Sequence, residues 1–195
     1  MSASVTLVDI GYGNINSVEI ALTRLGAQVT RSSDAGEIRS AERLVLPGVG
    51  AAAYAMERIE ALALGDVLRR YTGPALGICL GMHLLFTRSD EGEVDTLGLI
   101  PGRVRRLTPA PGITIPHMGW SRLEVADEAI GLSTGDYVYF AHSYAAADGP
   151  ATVARADHGQ PIPAVVRHAN WTGAQFHPER SGPAGARFLE AWLTI

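Results

Sequence analysis

The apolar positions of this chain fall into two textures. Up to about Ser89, short unbroken apolar runs alternate with stretches in which apolar residues recur every three or four positions. The runs read as strands buried on both faces and the spaced stretches as amphipathic helices. Strands are expected at Val5–Asp9, Ala27–Arg31, Arg43–Leu46 and Pro74–Ile78. Helices are expected over Ile15–Leu25, closed by Gly26, over a short segment capped by Asp34, near Ala51–Glu60 and Gly65–Tyr71, and over Leu80–Thr87. Such alternation implies right-handed crossovers and a mostly parallel sheet covered on both faces.

Past Ser89 the runs shorten, and Gly, Pro and Asp punctuate them. Gly102–Arg106, Ile113–His117, Arg122–Val125, Tyr137–His142, Thr152–Ala156, Ala164–Arg167 and Thr172–Phe176 read as short strands. They suggest antiparallel hairpins added to one edge, before a closing helix from about Ala184 to Leu193. The expected fold class is α/β: a mostly parallel central sheet flanked by helices, with an added antiparallel portion in the second half. A length of 195 residues without repeat or linker suits a single domain, 1–195.

Composition narrows the function. Hydrophobic residues at 47% and charged residues at 18% are those of a soluble globular protein. The net charge of −4, with no basic tract, argues against nucleic acid as a main partner. Val5–Val8 is too short for a signal or a membrane span, and Met1-Ser2-Ala3-Ser4 carries no charged leader, so a cytoplasmic, membrane-free protein is expected. The one cysteine excludes an internal disulfide. With no second cysteine and no His-x3-His pair, neither a metal site nor a cofactor is expected. Gly11-Tyr12-Gly13 after the first strand fails as a dinucleotide motif, because the third glycine is replaced by Asn16, and reads as a tight turn.

That lone cysteine carries the chemistry. Cys79 stands between Gly77 and Gly81 where a strand meets a helix, the layout of a nucleophile elbow with sulfur in place of oxygen. Helix amides beyond it favour a thiolate. The competing reading, a small core hydrophobe, is the common fate of an isolated cysteine, but it does not account for the flanking glycines. A thiol nucleophile needs a base and a group to orient it. Of six histidines, His177 in Gln175-Phe176-His177-Pro178-Glu179 fits best. Pro178 keeps it extended at a strand end, and Glu179 can fix its tautomer. Taken alone, His-Pro-Glu would be an ordinary turn. However, reactive groups of open α/β sheets gather at strand carboxyl ends. Amide donors for an oxyanion are expected from Leu80 and from the Pro47-Gly48-Val49-Gly50 loop.

With these residues in place the chain resembles the class I, triad-type glutamine amidotransferases, and within them the glutaminase subunits of imidazole glycerol phosphate synthase. The matching stretches run end to end. Gly77-x-Cys79-Leu80-Gly81-Met82 and Gln175-Phe-His-Pro-Glu179 are shared by the whole class; Pro116-His117-Met118-Gly119-Trp120 and Tyr139-Phe140-x-His142-Ser143-Tyr144 point to the narrower family. Pro47-Gly48-Val49-Gly50, Gly98-Leu-Ile-Pro-Gly102 and Asn14 with Ser17-Val18 also match. The resemblance implies a glutaminase of histidine biosynthesis. Cys79, His177 and Glu179 would be catalytic, with Leu80, Val49 and Gly50 around the oxyanion. Glu91, His83, Ser143 and Tyr144 would line the L-glutamine site. Ammonia would pass to a (β/α)8-barrel cyclase subunit in a heterodimer, with Asn14, Trp120 and Arg180 at the interface. Trp120 is expected in a Gly-Trp turn.

Some positions depart from the family pattern. His83 stands where the family usually has glutamine, and Arg180 where it often has lysine. Asp9-Ile10 replaces Asp-Tyr. On an elbow helix His83 shares a face with the nucleophile; it would either meet the substrate, with some of it charged on the acidic side of a pH profile, or be a neutral substitution set back from the substrate. Alternatives are the amidotransferase component of another synthase, a γ-glutamyl hydrolase of similar fold, or a non-catalytic regulatory partner of the cyclase.

Overall fold

A computed structural model describes residues 2–11 and 13–195, with Ala129 by its backbone only; Met1 and the Tyr12 of the first glycine turn lie outside the described residues. The first half builds β1 (Ser4–Val8), α1 (Ile15–Arg24), β2 (Gln28–Ser32), α2 (Ala35–Ser40), β3 (Leu44–Leu46), α3 (Ala52–Ala61), α4 (Gly65–Arg70), β4 (Ala75–Ile78) and α5 (Leu80–His83). There follow β5 (Phe86–Ser89), β6 (Val94–Asp95), β7 (Ile100–Arg106), β8 (His117–Val125), β9 (Tyr137–His142) and β10 (Tyr144–Ala146). Strands β11 (Thr152–Asp157), β12 (Pro161–His168) and β13 (Trp171–Ala174), and helix α6 (Gly182–Leu193), complete the chain. Asp34 caps α2 as expected, its Oδ1 accepting from the N–H groups of Gly36 and Glu37 at 2.8 and 2.9 Å.

Nine strands form one sheet in the order β2-β1-β3-β4-β13-β12-β11-β8-β9. The pairings from β2 through to β13 are parallel, and those from β13 outward to β9 are antiparallel. The expected parallel half with an antiparallel addition at one edge is therefore the arrangement found. The inner parallel strands β1, β3, β4 and β13 have no wet face, whereas β2 at the edge exposes Gln28, Thr30 and Arg31. In β3, Leu44 and Leu46 face Ile38, Ile59 and Leu68, while Val45 faces Leu22 and the core beneath α6. Burial on both sides is why these strands read as unbroken apolar runs.

Three expectations are corrected. The helix expected over Leu80–Thr87 is a single turn, Leu80–His83, because Phe86 already pairs with Ile100 in the β5–β7 ladder. A one-turn helix has little dipole to lend to a thiolate. Ile113–His117 is not a strand: outside β8 it contributes one bridge, Ala110 to Ile113, and Pro116 has no N–H to offer a ladder. Strand β8 instead begins at His117 and runs through Gly119 and Trp120 to Val125, so Trp120 sits within a strand rather than in a turn. A second sheet, β10-β7-β5-β6, was not foreseen; its strands β5, β6 and β10 are too short to show a period.

Candidate active site

Three neighbouring parallel strands, β3, β4 and β13, end on the same side of the sheet. Beyond β3 comes the Pro47–Gly50 loop, beyond β4 comes Cys79, and beyond β13 come Gln175, Phe176 and His177. In register, Ala174 lies beside Ile78, and the Cys79 N–H donates to Ala174 O at 2.7 Å.

The elbow owes its shape to its glycines. A Cβ on Gly81 would stand 1.9 Å from Leu46 O, and one on Gly77 would stand 2.6 Å from Gly81 O. Only bare Cα atoms let the chain reverse this tightly against β3. The strain collects at Cys79, whose φ of 52° and ψ of −107° lie where side-chain-bearing residues rarely go. Such a conformation costs about 1–3 kcal/mol and persists only when its surroundings enforce it.

His177 is held on both sides. Its N–H donates to Tyr139 O at 2.9 Å, and Ser181 Oγ donates to its carbonyl at 2.7 Å while accepting from Tyr139 N–H at 2.9 Å. His177 Nδ1 donates to Glu179 Oε1 at 2.9 Å, which turns the other ring nitrogen toward Cys79. Asn14 Nδ2 donates to the same carboxylate oxygen at 3.2 Å, and Ser17 Oγ donates to Asn14 Oδ1 at 2.7 Å. Burial works against charge on the His177 ring. Hydrogen bonds to Cys79 and Glu179, and their negative charges, outweigh it and push the pKa up to about 10. A positive ring therefore faces the sulfur, and a buried carboxylate backs it.

These groups sit in an open cavity of about 780 Å³. It brings together every expected site residue except Trp120, which lies on the surface beyond it. Val49, Gly50 and Leu80 line it near the sulfur, and Ser143 and Tyr144 form part of the wall. Glu91 also lines it, and its Oε2 accepts from the Ala52 N–H at the start of α3 at 3.2 Å. Burial raises the Glu91 pKa despite that bond. At the rim, Arg180 stacks on Tyr139 with 4.7 Å to the ring centroid, and Trp120 meets Tyr139 edge-on at 6.1 Å. Met118, Trp120 and Tyr137 are 63%, 55% and 55% exposed, an apolar patch beside the cavity mouth.

His83 is buried at the cavity wall. Its Nε2 pairs with Gln175 Oε1 at 2.7 Å, and Gln175 Nε2 reaches Cys79 Sγ at 4.0 Å. An amide oxygen only accepts, so His83 Nε2 carries the proton. Burial pushes the His83 pKa down to about 4, against the pull of hydrogen bonds to Gln175 and to the Tyr144 backbone. This corrects the expectation of a partly charged His83: across pH 6 to 9 the ring is neutral. His83→Gln is thus expected to keep kcat/KM for glutamine within about threefold, since one neutral hydrogen-bonding group replaces another. The ratio of the two pH profiles should be flat over that range. A ratio that bends near the ordinary histidine pKa, about 6.5, would mean His83 titrates in the working protein.

Sequence reasoning missed the Asn14–Glu179 bond, the Gln175 bridge and the Ser181 clamp. Asn14 was visible only as a member of a matching stretch, not through its partners. Among the described residues, no group of three or more His, Cys, Asp or Glu is placed to hold a metal ion. No helix among them is long and apolar enough to cross a membrane.

A strained cysteine elbow at the carboxyl ends of parallel strands, facing a histidine backed by a carboxylate, is the arrangement of a triad amidotransferase. The family model for class-I glutamine amidotransferases matches residues 6–194, and the chain belongs to that family. Its curated relatives are more specific. The imidazole glycerol phosphate synthase subunit HisH of Xanthomonas axonopodis pv. citri is 50% identical, with 98% of this chain and 97% of that protein covered. The protein of the same name from Idiomarina loihiensis is 45% identical, covering 98% of each. Among solved structures, that of a glutamine amidotransferase superposes with a TM-score of 0.76 at 21% identity, covering 98% of this chain and 99% of the other. The structure of PurLQS from Thermotoga maritima gives 0.73 at 22%, covering 100% and 99%. At such identities these two speak for the fold alone.

Proposed function

We propose that this chain is the glutaminase subunit of an imidazole glycerol phosphate synthase, acting as one unit over residues 1–195 in the cytoplasm. The observation that carries this reading is the Cys79–His177–Glu179 line in a cavity large enough for an amino acid. The choice of synthase rests on relatives near half identity over almost the whole chain, well above the identity to the PurLQS neighbour.

In this reading Cys79 Sγ attacks the side-chain carbonyl carbon of L-glutamine. The oxyanion is met by amides of Leu80 and of the Val49-Gly50 loop. His177 gives its proton to the departing ammonia, leaving a glutamyl thioester. Water then attacks the thioester, with His177 taking its proton, and glutamate leaves as the thiolate re-forms. Glu179 keeps the histidine in register and balances its charge, and Asn14 holds Glu179. Glu91 pairs with the substrate's α-ammonium, and the Ser143–Tyr144 backbone contacts its other end. No metal or cofactor takes part. Ammonia goes to a (β/α)8-barrel cyclase, docked on the Met118, Trp120 and Arg180 surface.

Mixing the purified chain with its organism's cyclase tests this. Synthesis with glutamine as sole nitrogen source should require the chain and should release glutamate in step. Equal synthesis from glutamine without the chain would overturn the proposal. A second expectation concerns docking. Trp120→Ala should weaken the complex by more than ~2 kcal/mol, as truncating an interfacial tryptophan anchor often does. A dissociation constant within about twofold of the parent, under ~0.5 kcal/mol, would place the interface elsewhere.

A further inference from the structure

A chain of histidines that the mechanism above does not use starts at the cavity wall, which His142 lines beside Ser143 and Tyr144, and runs back into the sheet. His117 opens β8 and His142 closes β9, and the two are direct cross-strand partners. Both are buried. His142 Nδ1 bonds Tyr144 O at 2.8 Å, His142 Nε2 bonds His117 Nδ1 at 3.0 Å, and His117 Nε2 bonds Ser121 Oγ at 2.8 Å. The His117 ring is stacked on Phe140 at 4.5 Å and on His158 at 4.0 Å.

The end of this chain fixes every proton in it. A carbonyl oxygen only accepts, so His142 Nδ1 carries hydrogen. In a neutral ring its Nε2 is then bare, so His117 Nδ1 must donate to it. His117 Nε2 is bare in turn and accepts from the Ser121 hydroxyl. The titratable neighbours that act on His142 are all histidines: His83 from α5, His117 from β8 and His158 from the β11–β12 turn. None supplies a negative charge, and burial first, then these neighbours, holds His142 at about 3; burial likewise holds His117 at about 4.

We propose that His117 and His142 are positioning residues: a tautomer-locked pair that fixes the Tyr144 carbonyl, and with it the wall of the glutamine pocket, to strand β8. Successive side chains of a strand face opposite ways. His117 points inward while its neighbour Met118 is exposed on the docking face. A shift of β8 on docking is thus passed through two rings to the pocket wall. The role in glutamine binding rests on the glutaminase reading; the tautomers do not.

The tautomers can be read without turnover, by long-range proton–nitrogen correlation spectra of the protein labelled with ¹⁵N in its histidine rings. His117 and His142 should both appear as the Nδ1–H form, unchanged between about pH 5.5 and 8, a range spanning the ordinary histidine pKa. An Nε2–H form or a titration near 6.5 at either ring would overturn the proposal whatever the enzyme does. The kinetic arm uses two variants assayed with the cyclase. His142→Gln removes the donor at the Nδ1 position and should raise KM for glutamine about fivefold, the loss of one hydrogen bond, with kcat within about twofold. His142→Asn places an amide N–H where Nδ1–H was and should restore most of KM. Equal impairment of both variants, or an unchanged KM in His142→Gln, would overturn the positioning role. A parent that hydrolyses no glutamine in the complex would sink the glutaminase reading and the pocket role with it, and leave the tautomer result to stand or fall alone.

Discussion

Cys79→Ala should abolish glutamine-driven synthesis and leave ammonia-driven synthesis by the complex within about twofold. The expected loss is roughly four orders of magnitude or more, the scale on which enzymes lose turnover when a covalent nucleophile is removed. In the proposed mechanism only the glutaminase half of the reaction needs the sulfur, so free ammonia should bypass the defect. The fold should survive. Alanine meets the same left-handed strain that cysteine already bears at φ 52°, and it leaves only a sulfur-sized gap. Cys79→Gly goes further: it removes the strain and should be at least as stable as the parent while equally inactive. Glutamine-driven synthesis near the parent rate in either variant would refute the nucleophile assignment.

Gly81→Ala is the second large effect, and it acts through backbone alone. The added methyl would sit 1.9 Å from Leu46 O and 3.0 Å from its carbonyl carbon. Both belong to a central strand that is paired on both sides and cannot yield. The elbow must move instead, and with it the sulfur, the Leu80 amide and His83. We expect a stability loss of about 3 kcal/mol or more, near the upper range for overpacking, and a fall of Tm of roughly 6–12 °C for a chain of this size. Glutaminase activity should drop by more than about 100-fold even well below Tm, as happens when reacting groups are displaced by about an ångström. Gly149→Ala is the control. It meets nothing within 4 Å, is not held at a left-handed φ, and should change stability by less than about 0.5 kcal/mol. A stable, active Gly81→Ala would mean that the elbow is looser than its contacts indicate.

The elbow was legible in the sequence because its steric demand falls on residues two positions either side of the cysteine, a spacing visible without the fold. His177 was legible for a related reason: Pro178 restricts the residue before it, and Glu179 is near enough to orient it without help from the fold. The parallel half was legible because its inner strands β1, β3 and β4 are buried on both faces. What sequence could not give depends on which distant segments meet. Asn14 reaches Glu179 across 165 positions, and His83 reaches Gln175 across 92. The charge state of His83 follows from complete burial, which no local pattern around it reveals. The early end of α5 is decided by the Phe86–Ile100 pairing, which outweighs a helical spacing of apolar residues. Trp120 was placed in a turn because Gly119 looks like punctuation. In the fold that glycine is a strand residue opposite Phe140. The His117–His142 pair needed the β8–β9 register, which neither strand encodes alone.

The central claim is a glutamyl thioester on Cys79, and rapid acid quench followed by peptide mass spectrometry tests it most directly. The complex, turning over glutamine labelled with carbon-13 and stopped within one turnover, should yield the peptide carrying Cys79 with one labelled glutamyl group in thioester linkage. The adduct should be lost on treatment with hydroxylamine and be absent from Cys79→Ala. Glutamate released at the parent rate with no labelled Cys79 peptide, or a labelled group on any other residue, would contradict the account.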